Sequence, residues 1–284
     1  MAKKFKVIIA PDKFKQSLTS LKAAAAIKEG LRKADPTWEL KEVPLADGGE
    51  GTVAALTYAL NGKVKKVKVT GPLGEKVEAE YGLVEVNNKK QGIIEIAQAA
   101  GLHLVTKNKP LKATTYGVGE TIAAALNDGC QELIIGLGGS ATTDAGVGLV
   151  QALGGEFLKQ DGKPVSFGGQ SLLDLAHINL KKLDPRLKKT KITVAADVNN
   201  PLYGPQGAAY VYAPQKGANP EEVKLLDKAL QNLAKVAKQD LNVEMAKWPG
   251  GGAAGGLGAG LKAFLGAEIQ SGTKLILNTV KFSE

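Results

Sequence analysis

Short apolar runs and helically spaced apolar positions alternate from the start of the chain. The run FKVIIA (Phe5–Ala10) predicts a strand. SLKAAAAIKEGLRKA (Ser20–Ala34) predicts an alanine-rich helix, with Thr19 or Ser20 as N-cap and Pro36 as its stop. LKEVPLA (Leu40–Ala46) predicts a second strand, its proline suited to an edge or a strand end. EGTVAALTYAL (Glu50–Leu60) predicts a second helix. Parallel strands joined by a helix cross over right-handedly and call for a covered sheet, so the fold class is α/β.

The texture then changes. Lys66–Glu85 alternates as a hairpin with a Gly-Pro turn, which places a domain boundary near residue 72. Further strands are predicted at Gly92–Ala97, Leu133–Leu137 and Lys191–Ala196, and a helix from Thr115 to Asn127. Asn219-Pro220 opens a long amphipathic helix reaching about Asp240, with Asn as cap and Pro in the first turn. A glycine cluster, PGGGAAGGLGAGL (Pro249–Leu261), opens another helix. KLILNTV (Lys274–Val280) predicts a last strand, followed only by KFSE. A parallel strand ordinarily feeds another crossover, so the pattern predicts a sheet left unfinished.

Composition narrows the function classes. With 284 residues, 44% of them hydrophobic, the chain can bury a sizeable core. One cysteine, Cys130, excludes an internal disulfide, and with His103 and His177 scattered it makes no zinc site. A reducing, cytoplasmic setting fits. The N-terminal run VIIA is too short for a signal-peptide core, and no stretch reaches the length of a membrane span. The net charge of +9 raises nucleic acid as a partner. Arg32 and Arg186 are the only arginines, and the lysines are dispersed rather than gathered into a stripe, so the reading is no nucleic acid and a mild attraction for anionic metabolites.

Candidate chemistry repeats one address. Asp12 follows the first strand, Asp47 the second, Gly138–Asp144 the strand at 133–137, and Asp197 the strand at 191–196. Ligands of open parallel sheets bind outside the carboxyl ends of strands. Glycine turns and helix N-termini bind phosphates, carboxylates hold Mg2+ or accept a hydroxyl proton, and lysines neutralise a moving phosphoryl group. Together these point to phosphoryl transfer. GLGGSATTD lacks the Lys-Ser/Thr ending of a P-loop, so it is no Walker site. Plainer roles stay open: Asp12 also suits a turn cap, and Asp144 an ordinary first-turn carboxylate favoured by the helix dipole.

The segments VIIAPDKFKQSL, PLADGGEGT, IGLGGSATTDAGVG, DVNNPLYGPQGAAYVYAPQKGA and GGGAAGGLGAGL occur in this order. Together they resemble the type 1, bacterial glycerate kinase family along essentially the whole chain. The resemblance implies ATP-dependent phosphorylation of D-glycerate, with Mg2+, to a phosphoglycerate, 2-phosphoglycerate being favoured. It also implies a Rossmann- or flavodoxin-like domain with a second α/β domain of mixed sheet inserted, and a cleft between them. Residues 1–72 would begin the first domain, 73–272 would form the insert, and a strand near 273–284 would rejoin the first. By the same resemblance Asp12, Lys15 and Ser17 lie at the cleft. Asp47, Gly48, Gly49, Glu50 and Thr52 match the acidic glycine loop, and Gly138, Gly139, Ser140, Thr142 and Asp144 the glycine-serine loop. Asp197, Asn200 and Lys216 match the D-x-x-N-P and PQKGA stretch. The expected roles are Asp197 or Asp47 as base, Lys15 and Lys216 on phosphate or carboxylate, Ser140 with the backbone at 138–140 on phosphate, and Asp144 as magnesium ligand. Lys13 and Gln16 stand where the family pattern has Ser and Gly, and Thr143 and Ala145 where it has Asn and Gly. Family chains continue past residue 284, so this one is expected to be truncated. The alternative reading is a truncated or non-catalytic relative that binds a nucleotide or small hydroxy acid without turnover.

Overall fold

The structure is a computed structural model and describes residues 5–14, 17–105, 109–280 and 282. The chain opens with β1 (Lys6–Ile9), α1 (Ser20–Ala34), β2 (Glu39–Glu42) and α2 (Thr52–Ala59). It continues through β3 (Lys63–Thr70), β4 (Lys76–Val86), β5 (Lys89–Glu95), α3 (Ala97–Ala100), α4 (Tyr116–Asn127) and β6 (Glu132–Gly136). Then come α5 (Val147–Ala152), β7 (Glu156–Leu158), β8 (His177–Asn179), β9 (Lys191–Ala195) and α6 (Ala208–Tyr212). The chain ends with α7 (Pro220–Leu241), α8 (Ala253–Leu265), β10 (Glu268–Gln270) and α9 (Gly272–Thr279).

The main sheet has six strands in the order β10-β9-β6-β5-β4-β3. β10, β9, β6 and β5 run parallel, whereas β4 and β3 are antiparallel hairpin partners, which makes the sheet mixed. β1 and β2 form a separate two-stranded parallel sheet. β3 is the outer strand and carries Lys63, Lys65, Lys66 and Lys68, a charged edge that discourages pairing with another chain.

Side-chain alternation explains how the six-stranded sheet is covered on both faces. On β5, Ile94 joins the large core with Val118, Ile122 and Leu149, while its neighbour Ile93 joins a smaller core with Val53, Leu56 and Ile276. On β6, Leu133 and Ile135 face the large core and Ile134 the small one. α2 and α9 therefore cover one face, and α4 with the rest of the helical layer covers the other. α7 is the long helix the sequence predicts: Asn219 and Glu222 form a reciprocal capping box, and Leu226, Leu230, Leu233 and Ala237 are buried at helical spacing.

Two expectations are corrected. Lys274–Val280 is not a strand: residues Gly272–Thr279 form helix α9. The cause is local. Ser271 caps the helix by accepting the Lys274 N–H, and the buried Ile276 sits between Leu275 and Val280 against the small core. The second predicted strand is also shorter, ending at Glu42 instead of Ala46. Pro44 has no N–H to offer, although Val43 and Leu45 still donate to Ile9 and Pro11. The predicted hairpin is present, and its first strand, β3, precedes residue 72 while belonging to the six-stranded sheet.

Candidate active site

Four chain segments meet beyond the carboxyl ends of the parallel strands: the loop after β2, the loop after β6, the loop after β9, and the turn from β10 into α9. The first three of these, with the end of α6 and the start of α8, line a cavity of about 270 Å3 that includes Asp47, Gly48, Gly138, Ser140, Asp197 and Lys216. Tyr212, Val198 and Ala254 supply its apolar side. A second cavity of about 530 Å3, bordered by Lys13, Ser17, Ser20 and Glu50, shares Asp47, Gly49, Gly138 and Gly139 with the first. One thin wall thus separates and joins the two.

That wall is backbone against backbone. The Gly138 N–H donates to the Gly48 carbonyl at 3.3 Å. A Cβ on Gly138 would stand 2.4 Å from Gly49 Cα, and one on Gly136 2.3 Å from the Gly48 oxygen. Gly48 has φ of +88°, and a Cβ there would meet Ala195 Cβ at 2.8 Å. The two glycine clusters are halves of a single contact.

Asp47 has its Oδ1 held by the Gly49 N–H at 2.9 Å and by the Lys13 ammonium at 3.0 Å. Partial burial works against its charge, but the Lys13 and Gly49 donors prevail and hold the carboxyl below its ordinary value. Asp197 accepts from Ser271 Oγ at 2.7 Å and from the Gly272 N–H at 3.0 Å, both at Oδ1. The first turn of α9 therefore orients this carboxylate, and Oδ2 is left for another partner.

Lys216 is 3% exposed yet lines the cavity. Its Nζ donates to the Thr142 carbonyl at 2.5 Å. Burial pulls its pKa down to about 7, and the charge of Asp144 opposes that pull. Ser140 Oγ accepts from the Thr142 N–H at 3.1 Å and shares a hydrogen bond with the Thr142 hydroxyl, so Thr142 braces both groups from behind the wall.

Asp144 is placed differently from the expectation. It is 2% exposed and does not border either cavity. Its carboxylate accepts from the Thr115 N–H at 2.8 Å, the Thr115 hydroxyl at 2.9 Å, and the Gly146 and Gly148 N–H groups. Burial pushes its pKa up against these donors. The expected magnesium ligand is instead the brace of its own loop, because a cation would have to displace four donors to reach it. Asn200 also stands back: its Oδ1 accepts the Tyr212 hydroxyl and its Nδ2 donates to the Gln206 carbonyl, so it steadies a cavity residue rather than bordering the cavity. Asp12 is exposed, and its Oδ1 accepts the N–H of Lys13. Lys15 lies outside the described residues.

Sequence reasoning missed Lys13, Ser271 and Glu95. Glu95 is a buried acid whose Oε1 accepts the Val53 N–H at 2.6 Å. A charged residue closing the apolar run GIIE was the available signal. Among the described residues, no three His, Cys, Asp or Glu stand together as a metal cluster. The Asp47 carboxylate, which borders both cavities, has the chemistry of a Mg2+ ligand, since that ion keeps most of its waters, takes one or two carboxylates and leans on substrate phosphates. No helix is long and apolar enough to cross a membrane among the described residues.

Residues 7–284 match the model of the glycerate kinase family. A Halalkalibacterium halodurans protein named glycerate kinase is 50% identical over 280 residues, which is 98% of this chain and 73% of that protein. An Escherichia coli protein named glycerate 2-kinase is 47% identical over 281 residues, again 98% and 73% of the two chains. A crystal structure of a Salmonella typhimurium LT2 protein, provisionally named glycerate kinase 2, superposes with a TM-score of 0.92 at 45% identity, covering 98% of this chain and 75% of that one.

Proposed function

Because the chain belongs to the glycerate kinase family, we propose that the paired cavities are where ATP phosphorylates D-glycerate. The observation that carries the site assignment is a single wall, Gly48–Gly49 against Gly138, bordered by Asp47, Asp197 and the buried cation of Lys216. A phosphoryl group in transit needs backbone N–H groups, a cation and a proton acceptor within reach of one another.

In this reading a glycerate hydroxyl oxygen attacks the γ-phosphorus, and the bond from that phosphorus to the β-phosphate oxygen breaks to release ADP. The hydroxyl proton passes to Asp197 Oδ2, the oxygen that carries none of its two intramolecular hydrogen bonds. Asp47 is the poorer base, since Lys13 and Gly49 favour its ionised form. Lys216, Ser140 and the 138–140 backbone bind the anionic groups beside Gly48, with Gly49, Ser17 and Glu50 bordering the adjoining space. Mg2+ would be held by Asp47, which borders both cavities, and would supply charge neutralisation on the phosphates. The 2-phosphate is the favoured product, in keeping with the name of the Escherichia coli relative.

The same reading divides the chain. β1, α1 and β2 begin a Rossmann-like unit, and the six-stranded sheet with its helices forms the inserted one. The lone buried thiol of Cys130 suits a reducing cytoplasm.

A coupled ADP-release assay with D-glycerate tests the function. Glycerate-dependent ADP is expected from the chain. Asp197→Asn should lower kcat by roughly 10²–10⁴, the usual worth of a general base, with a smaller change in KM. Phosphorus NMR should show 2-phosphoglycerate. Folded protein that releases no glycerate-dependent ADP overturns the reading.

A further inference from the structure

α2 starts without a cap of its own. Its N-cap position is Gly51, with φ of +92° and no side chain to accept a hydrogen bond. The nearby carboxylate of Asp47 is engaged with Gly49 and Lys13. The first-turn N–H of Val53 donates instead to Glu95 Oε1 at 2.6 Å, across 42 positions of sequence. Glu95 is the last residue of β5 and is 2% exposed. Its Oε2 has no hydrogen-bond partner.

A buried carboxylate with one oxygen unpaired is expensive for a fold. Its neighbours Ile93 and Ile94 are fully buried apolar residues, so packing alone would be served by another aliphatic side chain. The reason for an acid lies beyond Val53. The Thr52 hydroxyl and N–H both donate to the Gly49 carbonyl, at 2.7 and 3.3 Å. The Gly49 N–H in turn holds Asp47 Oδ1. Gly49 is also the residue pressed against Gly138 in the wall between the cavities.

We propose that Glu95 is a positioning residue: it caps α2 from the end of β5 and thereby sets the place of Gly49 and the Asp47 carboxylate. The only other acid bearing on it among the described residues is Glu50, while the Val53 and Gly51 N–H groups and the Gln98 side chain lie where they favour its charge against the burial that opposes it. The proposal rests on the cleft being the kinase site, but its structural half can be read without turnover.

Two measurements on the full chain test it. In the first, steady-state kinetics are compared for wild type, Glu95→Ala, Glu95→Gln and a packing control, Val84→Ala. Val84 shares the small core with Val53 and Leu56 and borders neither cavity. Both alanine variants should lose thermal stability. Only Glu95→Ala should lose kcat, by about 10²-fold, the cost of a catalytic group displaced by about 1 Å. Glu95→Gln keeps an oxygen for the Val53 N–H and should recover most of that loss. In the second, hydrogen exchange at the 48–53 amides should quicken in Glu95→Ala, stay slow in Glu95→Gln, and be unchanged in β6. If Glu95→Ala does not fold, Glu95→Asp replaces it, since the shorter side chain withdraws the carboxylate. Equal kcat in Glu95→Ala and a Val84→Ala protein of matched stability, or unaltered exchange at 48–53, overturns the proposal. A wild type without glycerate-dependent ADP removes the kinase reading and leaves the exchange result to decide the cap.

Discussion

Lys216 is an amine in an environment far from the ordinary one for its kind. An ammonium buried to this degree is held near a pKa of 7 instead of the usual 10.5. The unfolded chain then binds more protons than the folded one between those two values, so folding stability rises with pH across that window. Below about pH 7 the penalty for burying the charge is fully present. Replacing Lys216 with methionine should therefore stabilise the empty protein most at pH 6–7, with the gain fading toward pH 10, as read by thermal melts across pH. The same variant should lose affinity for the anionic substrate. Wild type should take up a proton on binding at pH 8, seen as a heat that depends on the buffer. The motif around Lys216 was legible in the sequence, but its burial was not, because no local pattern shows that the Thr142 carbonyl and Asp144 surround it. Asp144 was misjudged for the same reason: its partner Thr115 is 29 positions away.

At the scale of elements, α9 shows how a stretch can satisfy two periodicities. KLILNTV reads as a strand by its apolar run, and only the Ser271 cap and the single buried face at Ile276 decide for helix. Ser271 caps α9 and also donates to Asp197 Oδ1. Ser271→Ala should lower stability by about 1 kcal/mol, the usual worth of an N-cap, and should lower kcat as well. Melting curves and the ADP assay read both. Glycines make a second contrast. Gly30 lies in α1, and a Cβ added there would meet nothing within 4 Å, so Gly30→Ala should stabilise by roughly 0.5–1 kcal/mol. Gly138→Ala should abolish turnover, since its Cβ would press into Gly49 at 2.4 Å. Clustering made these glycines visible in the sequence. Their mutual contact was not visible, because it joins two loops far apart in the chain that no local window spans.

For the whole molecule, the two sheets differ in support. The six-stranded sheet has covered faces on both sides, while among the described residues β1 and β2 pair only with each other, and Ile8 on β1 is 53% exposed. Two strands alone are marginal. Amides of β1 and β2 should exchange with solvent well before those of β5 and β6, a difference that mass spectrometry resolves. The α/β class and most elements were readable from periodicity. The sheet order was not, since β6 lies between β5 and β9 through contacts that sequence spacing does not encode.

The glycine wall also sets where variation can enter. A surface made of backbone offers no side chain to exchange, and every substitution at Gly48, Gly136 or Gly138 adds atoms where none fit. Selection for a different acceptor acid would therefore find its usable variants at Val198, Tyr212 and Gln215, which border the same cavity with exchangeable side chains. A saturation library across the cleft should sort into these two populations: an intolerant glycine wall and a tunable set of side chains on the same cavity.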